Sequence, residues 1–216
     1  MLLTVDRHPI SNLGVVRQAG QPPRSILSYY REKQLGEPIQ FGVLRDGHEM
    51  TIKLHVQEVE KLVPKRLFDV VPEYYVLGSL VFTPLTGNLL ENDEFEFGFR
   101  KIGTMPNKGV LESFVGQIAE KPGDQVVLLQ DVLGDSVTVG YGESLVMQPV
   151  VKVNGRRIRN LRQLVNVIEA AKGESITFSL HNGIPLTLDL RHLRAATPRV
   201  LRLYRIPADR SLNLAS

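Results

Sequence analysis

Two stretches of this chain repeat each other, and the repeat restricts the fold to a pair of related units. Leu3-Thr4-Val5-Asp6-Arg7-His8-Pro9-Ile10 is echoed 148 residues later by Val151-Lys152-Val153-Asn154-Gly155-Arg156-Arg157-Ile158. Each copy reads as a short β-branched strand, a turn at Asp6-Arg7 or Asn154-Gly155, and a returning apolar residue. Further along, Phe41-Gly42-Val43-Leu44-Arg45-Asp46-Gly47 is echoed by Phe178-Ser179-Leu180-His181-Asn182-Gly183, with Leu44 matched to Leu180 at an offset of 136. The first copy therefore carries twelve extra residues, which fall on Asn12 to Arg24, a Gly-, Gln- and Pro-rich stretch that reads as a tolerated loop.

A helix is expected between the halves of each copy. In the second, Asn160 caps with Gln163 three residues on, Leu161, Leu164, Val165 and Ile168 form an apolar face, and Gly173 ends it. In the first, Ser25 caps a helix over Ser25–Leu35 with Ile26, Leu27 and Tyr30 on its face, and Gly36 stops it. Hairpins follow at Ile39–Arg45 with Glu49–Val56 and at Ser175–His181 with Pro185–Leu190. Ahead of the second copy, Tyr74–Leu85 and Val126–Leu133 read as strands, Lys108–Glu120 as a helix, and Ser136–Tyr141 as a strand after a Gly134-Asp135 turn. The pattern is α+β and mainly β.

Composition narrows the function. With 43% hydrophobic and 23% charged residues the chain is that of a packed globular protein. The absence of cysteine removes disulfides, thiol nucleophiles and thiolate metal sites while leaving the compartment open. A net charge of +3 demands neither nucleic acid nor membrane as partner, and six arginines between Arg191 and Arg210 read as solvated surface. No apolar run approaches the length of a membrane span, and Met1–Asp6 has no leader pattern.

Catalytic and cofactor motifs fail on inspection. Gly134-Asp135-Ser136 begins like the Gly-Asp-Ser-Gly-Gly loop of chymotrypsin-like enzymes, but Val137-Thr138 replace the glycines whose open backbone would hold an oxyanion. Gly142-Glu143-Ser144-Leu145-Val146 lacks the second glycine of a nucleophile elbow. His48-Glu49-Met50-Thr51-Ile52 lacks the second histidine of a zinc helix, and the five histidines are scattered, so no metal site is expected. Gly140-Tyr141-Gly142 stops short of a phosphate-binding glycine loop, and Glu91-Asn92-Asp93-Glu94-Phe95-Glu96 lacks calcium-loop spacing. No cofactor is expected, and the chain by itself is expected to hydrolyse no peptide bond.

A binding surface remains. Leu77-Gly78-Ser79-Leu80-Val81-Phe82 places a glycine turn at a strand entrance, and a turn of that kind exposes N–H groups that capture a peptide carboxylate while the strand edge accepts an extended peptide. The candidate contact residues are Leu77, Gly78, Ser79, Leu80, Val81 and Phe82, with Leu161, Val165 and Ile168 from the facing helix. Leu164 and Ile168 are expected in the core and Leu161 and Val165 towards the groove. The bland alternative makes Gly78 a bulge and Leu80 and Phe82 ordinary core.

These residues resemble a known family. A strand ending in Val-Asp/Asn, a capped helix and an Asp-Gly or Asn-Gly hairpin is similar to the second half of a PDZ domain. Pro72–Leu85, the Val150–Leu164 segment and Tyr204-Arg205-Ile206-Pro207-Ala208-Asp209-Arg210-Ser211 resemble the tandem PDZ region of HtrA/Deg-like serine proteases. The resemblance implies two PDZ-like units, each a small β-sandwich or partly open barrel capped by helices. The first, 1–62, is incomplete at its N-terminus, and the second, 63–216, carries an insertion around 90–125. It implies binding of protein C-termini or extended segments, of like subunits or of a protease domain, for substrate recognition or assembly. The trypsin-like His, Asp and Gly-Asn-Ser-Gly-Gly elements are missing from the sequence. A non-proteolytic adaptor is the alternative. A nucleic-acid binder using Arg156, Arg157, Arg159, Arg162 and Arg191–Arg210 is disfavoured because stacking aromatics are sparse there.

Overall fold

The computed structural model describes residues 1–91, 95–97, 100–102, 105–141 and 145–215. Residues 92–94 of the acidic run and Gly142-Glu143-Ser144 lie outside them. The chain divides into two compact units, Met1–Val59 and Glu60–Ser216.

In the first unit, β1 (Leu2–Val5), β2 (His8–Pro9), β3 (Val15–Val16) and β4 (Arg24–Ser25) precede α1 (Ile26–Arg31), which is followed by β5 (Pro38–Arg45) and β6 (His48–His55). Four strands form an antiparallel sheet in the order β2-β1-β5-β6, and β3 pairs with β4. The stretch read as a loop thus contains a small hairpin. Asp6 and Arg7 both take positive φ, as do Asp46 and Gly47, the geometry of tight turns whose twist matches the flanking strands. Ser25 caps α1 by accepting the Ser28 N–H at 3.1 Å, and the helix ends well short of Leu35. Its buried face is Tyr29, which joins Val5, Val16, Ile39 and Val56 in a small core. The Tyr29 hydroxyl donates to Asp6 at 3.0 Å, and Lys33 reaches the same carboxylate at 2.8 Å.

The second unit contains β7 (Tyr75–Leu77), β8 (Leu80–Pro84), α2 (Gly87–Leu90), β9 (Phe95–Phe97), β10 (Arg100–Ile102), α3 (Lys108–Glu112), β11 (Val127–Val132), β12 (Gln148–Val153), β13 (Arg156–Arg157), α4 (Leu161–Ala170), β14 (Ser175–Leu180), β15 (Pro185–Asp189), α5 (Leu190–Tyr204) and α6 (Leu212–Ala215). The main sheet runs β15-β14-β12-β11-β8-β7, with β13 also on β12, and β9 pairs with β10. All these pairings are antiparallel. Strands β8 and β14 are not neighbours, yet Phe82 and Phe178 stack at 5.3 Å, so the sheet curls over its own interior as an open barrel. The core of this unit is built on Leu80, Phe82, Leu128, Leu129, Leu164, Ile176 and Phe178, all essentially inaccessible to solvent.

Two expected elements differ. Helix α3 ends at Glu112 instead of continuing to Glu120: Gly116 takes positive φ, and of the apolar positions beyond the helix only Phe114 packs on the core while Val115 and Ile118 are exposed. Ser136–Thr138 forms a single 3₁₀ turn in place of a strand. Asp135 caps that turn through the Val137 N–H at 3.0 Å and is gripped by Arg199 of α5 at 2.8 Å, so a long-range ion pair overrides the β-branched composition.

The repeat holds at atomic level. The Asp6 and Asn154 side chains each accept a backbone N–H from the strand beside them, from Gln40 at 2.8 Å and Thr177 at 2.9 Å. Val5 pairs with Phe41 and Val153 with Phe178, which sets the second offset at 137 and the insertion at eleven residues rather than twelve.

Candidate functional site

Gly78 and Ser79 form the two-residue turn between β7 and β8, with Leu77 opposite Leu80 and Tyr75 opposite Phe82. Gly78 has φ +60, so the turn is of the type that takes glycine first. A β-carbon there would lie 2.6 Å from Leu193 Cδ2 and 3.2 Å from its Cα, because α5 packs directly on the turn. The Gly78 N–H, expected from sequence to face a carboxylate, donates to Thr197 Oγ1 at 2.7 Å. Ser79 shares a buried hydroxyl–hydroxyl bond with Thr138 at 2.7 Å, and its carbonyl accepts the Leu133 N–H at 2.8 Å.

The facing helix is α4. Asn160 accepts the Gln163 N–H at 2.8 Å, the cap legible in the sequence, while the Gln163 side chain reaches one residue beyond the cap and accepts the Arg159 N–H at 2.8 Å. Asp124 grips Arg159, whose guanidinium holds the Asp124 carboxyl below its ordinary pKa. Leu161 and Val165, expected to lean towards a groove, are 0% and 3% exposed, buried in the core as Leu164 and Ile168 are. Leu77, Leu80 and Phe82 are equally enclosed, and Val81 is half-buried. The candidate residues are thus brought together, but as packed interior beside a strand with neighbours on both edges: β11 on one side of β8 and β7 on the other.

Strand β7 in turn has a neighbour from the chain's end. The Val76 N–H donates to the Asp209 carbonyl at 2.7 Å, the Ser211 N–H to the Tyr74 carbonyl at 3.1 Å, and Tyr75 stands antiparallel to Arg210. The Arg210 guanidinium bonds Glu169 of α4 at 2.6 Å and Asp209 at 2.9 Å, and lies 5.3 Å from the centre of the Tyr75 ring. Burial pushes the Tyr75 phenol up to about 12, with Arg210 acting against it. Nothing in the local sequence assigns Asp209-Arg210-Ser211 to this edge. Helix α5 was not expected either, although its signal is present: Asp189 caps it through the His192 N–H at 2.9 Å, and Leu190, Leu193, Ala196 and Val200 recur at helical spacing.

The arginines read as solvated surface are exposed apart from the half-buried Arg210, and several also make specific contacts. Arg199 holds Asp135, Arg191 pairs with Glu174 at 3.0 Å, and Arg194 donates to the Ile168 and Ala171 carbonyls at the end of α4 at 2.9 and 3.1 Å. Ser136, Asp189 and His192 border one surface cleft of about 480 Å³. The Ser136 hydroxyl bonds Asp135 at 3.5 Å and Arg199 at 3.4 Å, and His192 faces Asp189 at 3.6 Å, so the three do not form a relay. A second cleft, also about 480 Å³, borders the far end of β8, where Thr83 and Leu85 meet the exposed Val70 and Val71. Among the described residues no cluster of His, Asp and Glu is arranged to hold a metal, and no helix is long and apolar enough to cross a membrane.

A glycine turn leading into a strand, a capped helix beside it and a curled antiparallel sheet define a PDZ architecture. Residues 63–213 match the PDZ domain family model, and the chain belongs to that family. It is 29% identical over 214 residues to putative protease Do-like 3, mitochondrial, of Arabidopsis thaliana, covering 99% of this chain and 35% of that protein. It is 28% identical over 208 residues to protease Do-like 4, mitochondrial, of the same plant, covering 96% and 36%. A serine protease DegP homolog of Plasmodium falciparum is 24% identical over 177 residues, covering 80% of this chain and 18% of that protein. The chain thus spans about a third of the length of its first relatives, and it is a PDZ region of the Do-like protease type, a protein-binding module, with no trypsin-like catalytic domain within these residues.

Proposed function

We propose that this chain is the protein-recognition part of a Do-like serine protease, holding substrate proteins or further subunits for a catalytic domain outside these residues. The observation that carries the reading is strand β8, led by the Gly78-Ser79 turn and packed against α4, within the segment that matches the PDZ family. Peptides join PDZ domains as an added strand, so the contact region is placed around Leu77–Phe82 with Leu161, Val165 and Ile168 as the apolar bed beneath it. Since β7 covers the edge of β8, an incoming strand meets β7 first. Met1–Val59 is read as the later half of a related unit, on the strength of the Asp6/Asn154 and Phe41/Phe178 equivalences.

Titration of the intact chain with a C-terminal peptide library and with an unfolded protein such as casein tests this. Saturable micromolar binding, weakened about tenfold by Val81→Arg at the half-buried face of β8, is the expected result. A chain that binds neither ligand overturns it.

A further inference from the structure

The outer edge of β7 carries a specific arrangement, beyond the groove assigned above. Asp209-Arg210-Ser211 lies along it as an antiparallel strand, with two ladder bonds, Val76 N–H to Asp209 at 2.7 Å and Ser211 N–H to Tyr74 at 3.1 Å. The Ser211 hydroxyl accepts the Tyr74 N–H at 3.3 Å, and the Tyr74 hydroxyl donates to the Ala208 carbonyl at 3.2 Å. This is the geometry by which a separate peptide extends a sheet, except that the added strand comes from the same chain.

One side chain reads out the added strand. Arg210 sits over Tyr75, a residue 4% exposed, and bonds Glu169 of α4 at 2.6 Å, while its other partner, Asp209, travels with it. An aromatic face combined with a carboxylate on a rigid helix matches a planar cation, and guanidinium fits it better than the compact ammonium of lysine. The segment is short and bounded by α5 and α6, with Arg205 at positive φ and Pro207 ending the helix before it. So short a ladder is held largely by the high local concentration that its tethers impose.

We infer that the β7 edge is a strand-addition site occupied in cis by Ala208–Ser211, and that its ligand class is an extended segment carrying an arginine for the Tyr75–Glu169 subsite. This rests on reading the β7–β8 region as the chain's protein-contact region. A partner segment of that class competes with the chain's own, and release of Arg210 exposes the site.

The test uses the intact chain, a labelled peptide of the sequence Tyr204–Leu214, and the same peptide with alanine in place of its Arg210. In the Arg210→Ala chain, the Val76 and Ser211 amides should exchange hydrogen about tenfold faster, with the Phe82 amide unchanged. That chain should bind the arginine peptide about tenfold more tightly than the wild type does, and the alanine peptide no better. Adding Glu169→Gln should reduce the arginine peptide to the level of the alanine peptide. Unchanged exchange at Val76, equal binding by wild type and variant, or equal binding of both peptides overturns the inference. Should Arg210→Ala unfold the chain, Glu169→Gln alone decides: it must speed exchange at Val76, and failure to do so overturns the inference. The broader reading fails separately, by the wild-type chain binding neither the peptide library nor casein.

Discussion

Position 78 has no room for a side chain, and its φ of +60 penalises any residue but glycine. Gly78→Ala should destabilise the chain by about 3 kcal/mol or more, from about 1–2 kcal/mol of backbone strain plus the clash with Leu193. Gly155→Ala provides the control, since its φ is +76 but nothing lies within 4 Å of the added carbon, and it should cost only about 1–2 kcal/mol. Urea unfolding midpoints of the two variants check the difference. Asp124 carries a pH signature: Arg159, with the Lys121 N–H at 3.0 Å, holds its folded-state pKa below the unfolded value. The stabilisation is therefore complete above the unfolded pKa near 4, and is lost as pH falls through the lower folded value. Urea midpoints measured from about pH 5 to pH 2 should fall less steeply in Asp124→Asn than in the wild type.

At the scale of elements, α4 is a core helix along its whole apolar stripe. Leu161→Ala, Leu164→Ala and Ile168→Ala should each cost about 2–5 kcal/mol, and Val165→Ala about 1.5–3 kcal/mol, all read by thermal or denaturant unfolding. Losses confined to Leu164 and Ile168 would restore a division between core and groove faces that the burial of Leu161 and Val165 denies. The helix itself was legible, because its cap and its stripe are local and agree. Which part of the stripe faces a ligand was not, because that depends on β7 lying against β8. Helix α5 is the opposite case: its cap and stripe are present in the sequence, but five arginines among its residues and at its end overlay the apolar periodicity with charge. The arginines from Arg191 to Arg210 do lie at the surface, all exposed except the half-buried Arg210, and Arg199 and Arg194 in addition bond Asp135 and the end of α4.

At the scale of the whole molecule, the two units differ in how much apolar surface they bury. Met1–Val59 rests on a small cluster around Val5, Val16, Tyr29, Ile39 and Val56, whereas Glu60–Ser216 encloses the Phe82–Phe178 interior and two packed helices. A core that small supports only modest stability. Hydrogen exchange on the intact chain should therefore find β5 amides opening at lower free energy than those of β11 and β14. Equal protection throughout would show the units to unfold as one. The sequence by itself determined the repeat, the strands and turns that carry it, the capped helix and the family. All of these are written in neighbouring residues, as side-chain alternation, positive-φ positions and cap spacing. Only the tertiary structure decided that β7 covers β8, that the Gly78 amide is taken by Thr197, and that Asp209-Arg210-Ser211 lies on the β7 edge. The Thr197 and Asp209–Ser211 contacts join residues more than a hundred positions apart; the β7–β8 hairpin is local, but strand pairing uses backbone groups that every residue shares, so no local pattern distinguishes an edge that is covered from one that is free.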